Sequence, residues 1–146
     1  MGKQIVQLEK LQTVCLDTNI VAYYIEGNTI YGNTVKNLIY QLVNHKKKIY
    51  LTFLSLSELL VKPMREHEES LIDFYRTIDK NLSLSIIYPS FDSILFTAML
   101  RAKYRIPTPD AINLSIAKNN NSQAFITNDE SLKKVTEIAV FTLKDF

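Results

Sequence analysis

The chain has 146 residues, 47% of them apolar, and a formal net charge of +2. This length predicts one domain with a substantial hydrophobic core, and the weak positive charge permits a nucleic-acid partner without arguing for one. The single cysteine, Cys15, excludes an intramolecular disulfide. Because Cys15 lies inside an apolar run, we expect a buried thiol rather than a nucleophile.

A polar or weakly helical lead-in, residues 1–12, precedes the first apolar run, and we expect residues 13–146 to form a single domain. The lead-in lacks the continuous apolar core of a signal peptide. No stretch approaches the roughly 18 consecutive apolar residues of a membrane span. With the low cysteine content, these features favour a cytoplasmic protein that has no contact with membranes.

Short apolar runs predict five strands, at residues 13–16, 49–54, 82–88, 124–127 and 138–142, the last being either a strand or an extended tail. Helical patterns occur at residues 20–25, 31–44, 55–62, 66–80, 90–104, 108–119 and 129–134. Pro63 is expected to stop the third of these helices, and Pro107 to separate the fifth from the sixth. Strands that alternate with helices predict an α/β fold with a mostly parallel sheet covered on both faces.

Four acidic residues follow a predicted strand or lie near the start of a predicted helix: Asp17, Glu58, Asp110 and Asp129. In an open α/β sheet, such positions meet at the carboxyl ends of the strands, where these folds build their sites. Carboxylates gathered there would repel one another unless a divalent cation lay between them, and hard cations prefer oxygen ligands. Because metals held by carboxylates hydrolyse phosphodiesters, the four acids predict a metal-dependent nuclease.

Each acid also has a local structural explanation. Asp17 can cap the helix that follows it, and so can Asp129 or the asparagine before it. Ser55 and Glu58 have the spacing of a capping box. Asp110 follows a threonine that can cap its helix and a proline suited to the first helical position, and its charge complements the helix dipole. Capping alone, however, does not require an acid at every junction.

Four stretches of the chain together resemble the PIN domain of VapC-like ribonucleases. They are residues 16–20 (LDTNI), residues 57–58 (SE), residues 110–111 (DA) together with Ala117, and residues 126–129 (ITND). The resemblance covers residues 13–141, and the ordered set is more specific than any one stretch. Two features depart from the better-known toxin subgroup: the first strand begins late, and residues 28–48 form a long connection between the first two acids.

The resemblance implies a Rossmann-like α/β/α sandwich, an acidic pocket that binds Mg²⁺ or Mn²⁺, and endonucleolytic cleavage of RNA. The catalytic and metal-binding residues would be Asp17, Glu58, Asp110 and Asp129. Asn19 and Thr127 match polar positions that support the acids. VapC-like proteins are commonly inhibited by an antitoxin and form dimers, so the resemblance also implies a toxin of a type II toxin–antitoxin pair, with an antitoxin and a second copy as partners.

Five basic residues are expected to form a rim that guides the RNA backbone: Lys62, Arg65, Arg101, Arg105 and Lys133. One alternative is a PIN-like RNA-binding or scaffold protein with little catalysis. A second alternative is a phosphatase or phosphoacceptor domain centred on Asp17. The second is weaker because Asn19 stands where a phosphatase of this kind would have another acid.

Overall fold

The computed structural model describes residues 8–146, which contain a five-stranded sheet with parallel pairing throughout. The strands are β1 (Thr13–Leu16), β2 (Lys48–Thr52), β3 (Leu84–Ile87), β4 (Ala124–Thr127) and β5 (Ala139–Thr142). Their order across the sheet is β3-β2-β1-β4-β5. The order reverses between β1 and β4, and a crevice for ligands is expected at the carboxyl ends of strands beside such a switch point.

Helices connect the strands. They are α1 (Thr18–Glu26), α2 (Gly32–Asn44), α3 (Phe53–Arg65), α4 (Glu69–Arg76), α5 (Ile78–Asn81), α6 (Phe91–Tyr104) and α7 (Thr108–Asn119). Two 3-10 helices, Glu130–Lys134 and Leu143–Asp145, flank β5. Two parallel strands that follow each other in the chain must be joined by a crossover connection, so the connecting helices pack on the faces of the sheet.

Two apolar cores lie on opposite faces of the sheet, since successive strand residues point in opposite directions. In β1, Val14 and Leu16 pack into a core with α1 to α5, whereas Cys15 packs into the other core with α6 and α7. In β4, Ile126 joins the first core and Phe125 the second. The layered α/β architecture is therefore confirmed, and the thiol of Cys15 is buried as predicted.

The predicted boundaries at the start and end of α3 were wrong. The strand before it ends at Thr52, whose Oγ1 accepts the backbone N–H of Ser55 (3.0 Å) and caps the helix. Ser55 is already inside α3, so it does not form a capping box with Glu58. Pro63 lies in the last turn and does not stop the helix, which ends at Arg65. A proline removes its own N–H bond, and so close to the helix end little helix remains to be disrupted.

Residues 66–80 were expected to form one helix, but they form two. His67 has a left-handed backbone (φ 56°) before α4 begins, and Thr77 (φ −119°, ψ 26°) separates α4 from α5. The buried side chains Ile72 and Ile78 lie on either side of this break. A spacing of apolar residues that fits one continuous helix therefore conceals a break in the backbone.

Across residues 8–146, no helix combines the length and apolar character that crossing a membrane would require. Residues 1–7, which make up most of the predicted lead-in, lie outside the described residues, and the lead-in stays a prediction.

Candidate active site

Asp17 directly follows β1, at the switch point of the sheet. Its backbone N–H donates to the carbonyl of Ile126 (2.9 Å) and so extends the pairing with β4. Its Oδ1 accepts the N–H of Thr18 (2.7 Å), and its Oδ2 accepts the hydroxyl of Thr127 (2.7 Å). The residue is only 6% exposed. The predicted cap is present, and it fixes the carboxylate at the carboxyl end of β1.

Thr127 ends β4 and connects two of the four acids. Its fully buried hydroxyl donates to Asp17 and accepts the N–H of Asp129 (3.1 Å). Oδ1 of Asp129 in turn accepts the N–H of Ser131 (2.9 Å), so Asp129 rather than Asn128 caps the following 3-10 helix. These are contacts that a residue supporting the acids would make.

Glu58 lies in the second turn of α3, with its side chain exposed. Its Oε2 accepts the hydroxyl of Thr18 (2.5 Å), and the same hydroxyl oxygen lies 2.9 Å from Oγ of Ser55. Because Thr18 is the residue after Asp17, this hydrogen bond draws the carboxylate of Glu58 toward the end of β1.

Asp110 lies in the first turn of α7 and is half-buried. The helix begins at Thr108, so this threonine is the first helical residue rather than the predicted cap. Within residues 8–146, no hydrogen bond to the carboxylate of Asp110 is seen. Burial raises the pKa of Asp110, and the charges of Asp129 and Glu58 raise it further.

The four acids share one electrostatic environment. The pKa of Asp17 is raised to about 6: burial is the main cause, the hydrogen bonds from Thr127 and Thr18 oppose the rise, and the charges of Asp110 and Glu58 add to it. Asp110 responds in turn to Asp129 and Glu58. The ion pairs seen in residues 8–146 involve other carboxylates. The four acids are therefore neighbours, and no lysine or arginine of the described chain neutralises them in an ion pair.

The chemistry of this group of side chains suits a hard divalent cation, because all four supply carboxylate oxygens and their mutual repulsion would be relieved by positive charge. In the described part of the chain, however, no three acidic, histidine or cysteine side chains are gathered closely enough to surround an ion as they stand. The fit of the site to a cation therefore rests on the carboxylate oxygens that it offers and on the electrostatic environment that the four acids share.

Asn19 and Asn128 link α1 to the end of β4. Oδ1 of Asn19 accepts the backbone N–H of Asn128 (3.2 Å), and Nδ2 of Asn128 donates to the hydroxyl of Tyr23 (3.2 Å). Asn19 and Tyr23 are four residues apart on α1 and so lie on the same side of the helix. Both contacts support the backbone that carries Asp129, and the hydroxyl of Tyr23 was not anticipated from the sequence.

Sequence reasoning also missed the network of hydroxyls and one amide that reaches Glu58 through Thr18. Besides the contact of Thr18 with Ser55, the hydroxyl of Thr52 donates to Oδ1 of Asn113 (2.6 Å). The one available signal was spacing: Thr18 adjoins Asp17, and Asn113 follows Asp110 by about one helical turn. Nothing in the sequence indicates that the two segments are joined through Thr52.

The predicted basic rim residues are distributed over three elements. Lys62 and Arg65 lie in the last turn of α3, Arg101 lies in the last turn of α6, and Arg105 follows α6, all with exposed side chains. Lys133 differs because Asp145 (2.8 Å) and Glu130 (3.6 Å) already pair with it. Its role at the rim is the weakest of the five.

Comparison with solved structures finds the same fold in toxin–antitoxin systems. A chain of the VapBC2 complex from Rickettsia felis, bound to a promoter DNA fragment, superposes with a TM-score of 0.71 at 21% identity, covering 88% of this chain and 97% of that one. A chain of a Klebsiella pneumoniae toxin–antitoxin complex gives 0.68 at 23% identity, covering 90% and 98%. VapC20 of Mycobacterium tuberculosis, a sarcin–ricin loop cleaving toxin, gives 0.60 at 13% identity, covering 77% and 87%.

A comparison with curated proteins finds no match. The family model of the PIN domain matches residues 14–138, which include the whole sheet apart from Thr13 and β5, and all four acids. This match covers far more than half of the chain and agrees with the parallel five-stranded sheet and the acids at its carboxyl edge. The chain therefore belongs to the PIN domain family.

Proposed function

We propose that this PIN domain is a divalent-metal-dependent endoribonuclease that hydrolyses RNA phosphodiester bonds, and that it acts as the toxin of a type II toxin–antitoxin pair. The observation that carries the proposal is the convergence of four carboxylates, without ion-pair partners in residues 8–146, beside the switch point of the sheet. The shared fold with the sarcin–ricin loop cleaving toxin supports RNA as the substrate.

The four acids would divide the work at the site. Asp17 is the fixed ligand, because burial and two hydrogen bonds hold its carboxylate. Asp110 would offer both of its oxygens to Mg²⁺ or Mn²⁺. A bound cation supplies a polarised water and neutralises charge on the scissile phosphate. Glu58 and Asp129 each have one oxygen in a hydrogen bond, and the other oxygen would orient or deprotonate the attacking water.

The geometry around Asp17 argues against the phosphatase alternative. Asn19, which replaces the second acid of such a phosphatase, uses its Oδ1 to accept the N–H of Asn128. Phosphate transfer to Asp17 that survives acid would revive this alternative.

The decisive experiment incubates purified protein with assorted RNAs, with added Mg²⁺ or Mn²⁺ and with EDTA. Cleavage that depends on the added ion and stops with EDTA is the expected result. RNA binding without metal-dependent cleavage would instead support the alternative of a PIN-like RNA-binding or scaffold protein. Should the exposed basic residues guide the RNA, the logarithm of the binding constant should fall with the logarithm of salt concentration.

Protein partners are the second part of the proposal. Phe91, Ile94 and Leu95 on α6 are 74%, 61% and 59% exposed, and exposed apolar side chains grouped on one helix mark interaction surfaces. An antitoxin and a second copy of the chain would both require such a surface. Light scattering of the protein alone, and with the product of a neighbouring gene, distinguishes the two. A toxin that acts on cellular RNA would work in the cytoplasm.

A further inference from the structure

A continuous chain of hydrogen bonds leads to Glu58 from the helix that carries Asp110. It begins at Oδ1 of Asn113, which accepts the hydroxyl of Thr52 (2.6 Å), and Thr52 Oγ1 accepts the N–H of Ser55 (3.0 Å). Oγ of Ser55 contacts Oγ1 of Thr18 (2.9 Å), and Thr18 contacts Oε2 of Glu58 (2.5 Å). The chain therefore ties together α7, the end of β2, α3 and the start of α1.

The direction of the last two bonds follows from counting protons. Thr18 has one hydroxyl proton, and an ionised Glu58 can only accept. Thr18 therefore donates to Glu58, which is the shorter of its two contacts, and the same hydroxyl is the donor toward Oγ of Ser55, so its one proton is shared between the two oxygens. The contact with the buried Ser55 fixes the position of the Thr18 hydroxyl, and Thr18 in turn fixes one oxygen of the Glu58 carboxylate.

Burial along this chain shows why Glu58 needs such a partner. Thr52 and Ser55 are fully buried, Asn113 is 2% exposed, and Thr18 is half-buried. Glu58 is exposed, and a free glutamate has large rotamer freedom that must be lost when its carboxylate is fixed. A network anchored in the protein interior lowers that cost by fixing one oxygen in advance.

We propose that Thr18 is a positioning residue of the nuclease site. Its hydroxyl, anchored by Ser55, keeps Oε2 of Glu58 beside Asp17 and leaves Oε1 for the divalent cation or its water. The proposal rests on the metal-dependent function proposed above. It assigns to the threonine after the first acid a role distinct from capping, because its backbone N–H, not its hydroxyl, bonds to Asp17.

The test compares Thr18→Val with Thr18→Ser. Valine keeps the shape of threonine but lacks the hydroxyl, whereas serine keeps the hydroxyl. Partners that orient a metal ligand typically contribute about 10- to 100-fold to affinity or activity. For the valine variant, we expect Mn²⁺ binding to weaken by about 10- to 100-fold. Binding is measured without RNA, from the electron paramagnetic resonance signal of the free ion. We expect kcat for RNA cleavage to fall with little change in KM, and the serine variant to stay close to wild type.

Thr136→Val is the matched control, because it removes another hydroxyl–hydroxyl contact, with Tyr104 (3.1 Å), on the segment that leads into the opposite end of β5. It should leave Mn²⁺ binding unchanged. Ser55→Ala removes only the anchor, so its loss of Mn²⁺ affinity should be smaller than that of the valine variant. Ser55→Ala also carries the test if Thr18→Val does not fold.

The proposal is overturned if Thr18→Val binds Mn²⁺ as well as the serine and control variants do. It is also overturned if valine and serine lower affinity equally, since the hydroxyl would then not be the cause. Either result with an active wild-type protein leaves the nuclease function intact. A wild-type protein that neither binds Mn²⁺ nor cuts RNA would remove both proposals.

Discussion

Two groups of carboxylates in this molecule have opposite surroundings. Glu137 lies 2.7 Å from Nζ of Lys103, and Asp145 lies 2.8 Å from Nζ of Lys133. The hydrogen bond from Lys103 lowers the pKa of Glu137 to about 2. At the carboxyl edge of β1 and β4, by contrast, burial and the charges of nearby acids together raise the pKa of Asp17 to about 6.

The difference separates charges that stabilise the fold from charges that oppose it. A paired surface carboxylate adds little net stability but costs little. A buried carboxylate among other carboxylates destabilises the folded state in its ionised form, and such perturbed groups cluster at functional sites. The second arrangement is expected only where something else, in the proposed function a divalent cation, completes the charge balance.

Replacing Asp17 by asparagine should have the largest effect on activity and the opposite effect on stability. Changes to residues that merely orient metal ligands already cost about 10- to 100-fold, so losing a ligand should lower RNA cleavage by at least about 100-fold. Removing a buried charge should raise the free energy of unfolding at pH 7 by about 1–2 kcal/mol without metal, part of the gain being lost with the hydrogen bond from Thr127. Cleavage assays and urea unfolding measure the two effects.

The matched control for this variant is Glu137→Gln, which removes a paired carboxylate and should leave cleavage unchanged. If Asp17→Asn cleaves RNA as fast as wild type, the assignment of this acid to the site is wrong. Equal losses of activity in both variants would show that the contrast between the two groups of acids has no functional meaning.

In the absence of metal, the pH dependence of the free energy of unfolding should show the contribution of Asp17 directly. Its pKa rises from the ordinary 3.8 to about 6 on folding, so the folded state holds a proton that the unfolded chain releases. The resulting stability is fully present below about pH 4 and is lost as the pH rises through about 6, a change of about 2–3 kcal/mol. Urea unfolding of wild type minus that of Asp17→Asn, between pH 4 and 7.5, isolates this contribution. A difference that does not vary with pH in this window would contradict it.

Divalent cations should stabilise the wild-type protein by relieving the same repulsion. A ligand that binds only the folded state adds about 2.7 kcal/mol at a concentration 100 times its Kd. We expect Mn²⁺ to raise Tm at pH 7, less so at pH 5 because Asp17 is then largely protonated. Asp17→Asn should lose most of this response, and Glu137→Gln should keep it. An equal response in all three proteins would indicate cation binding elsewhere.

Much of the fold could be predicted because the strands are short, apolar and well separated. The strand over 13–16, the strand over 124–127 and the helix over 108–119 have the predicted boundaries. Failures occurred where backbone geometry rather than side-chain character decides. The break at Thr77 leaves the apolar spacing intact, and the cap at Thr52 begins α3 earlier than Ser55 suggested.

The residues of the site also divide into those that could be predicted from the sequence and those that could not. The acids could be identified because strand ends and helix starts are visible in the sequence, and parallel strands bring those positions together. The contact between Thr18 and Glu58 could not be identified, because its partners are 40 residues apart and their meeting depends on how α1 and α3 pack. Thr127 was anticipated only through the family resemblance, and its two hydrogen bonds required coordinates.

The smallest effect is expected for Glu137, the carboxylate that pairs with Lys103. The direction of its pH dependence, rather than its size, distinguishes it from Asp17. Glu137→Gln should lower Tm only slightly, because an ion pair that remains partly open to solvent contributes little. Its pH dependence should have the opposite sign to that of Asp17: the lowered pKa of Glu137 gives stability that is present above the ordinary 4.5 and is lost as pH falls toward about 2. Thermal unfolding between pH 2 and 5 measures it. A wild-type protein that loses no more stability than the glutamine variant over that range would show that the ion pair with Lys103 does not persist in solution.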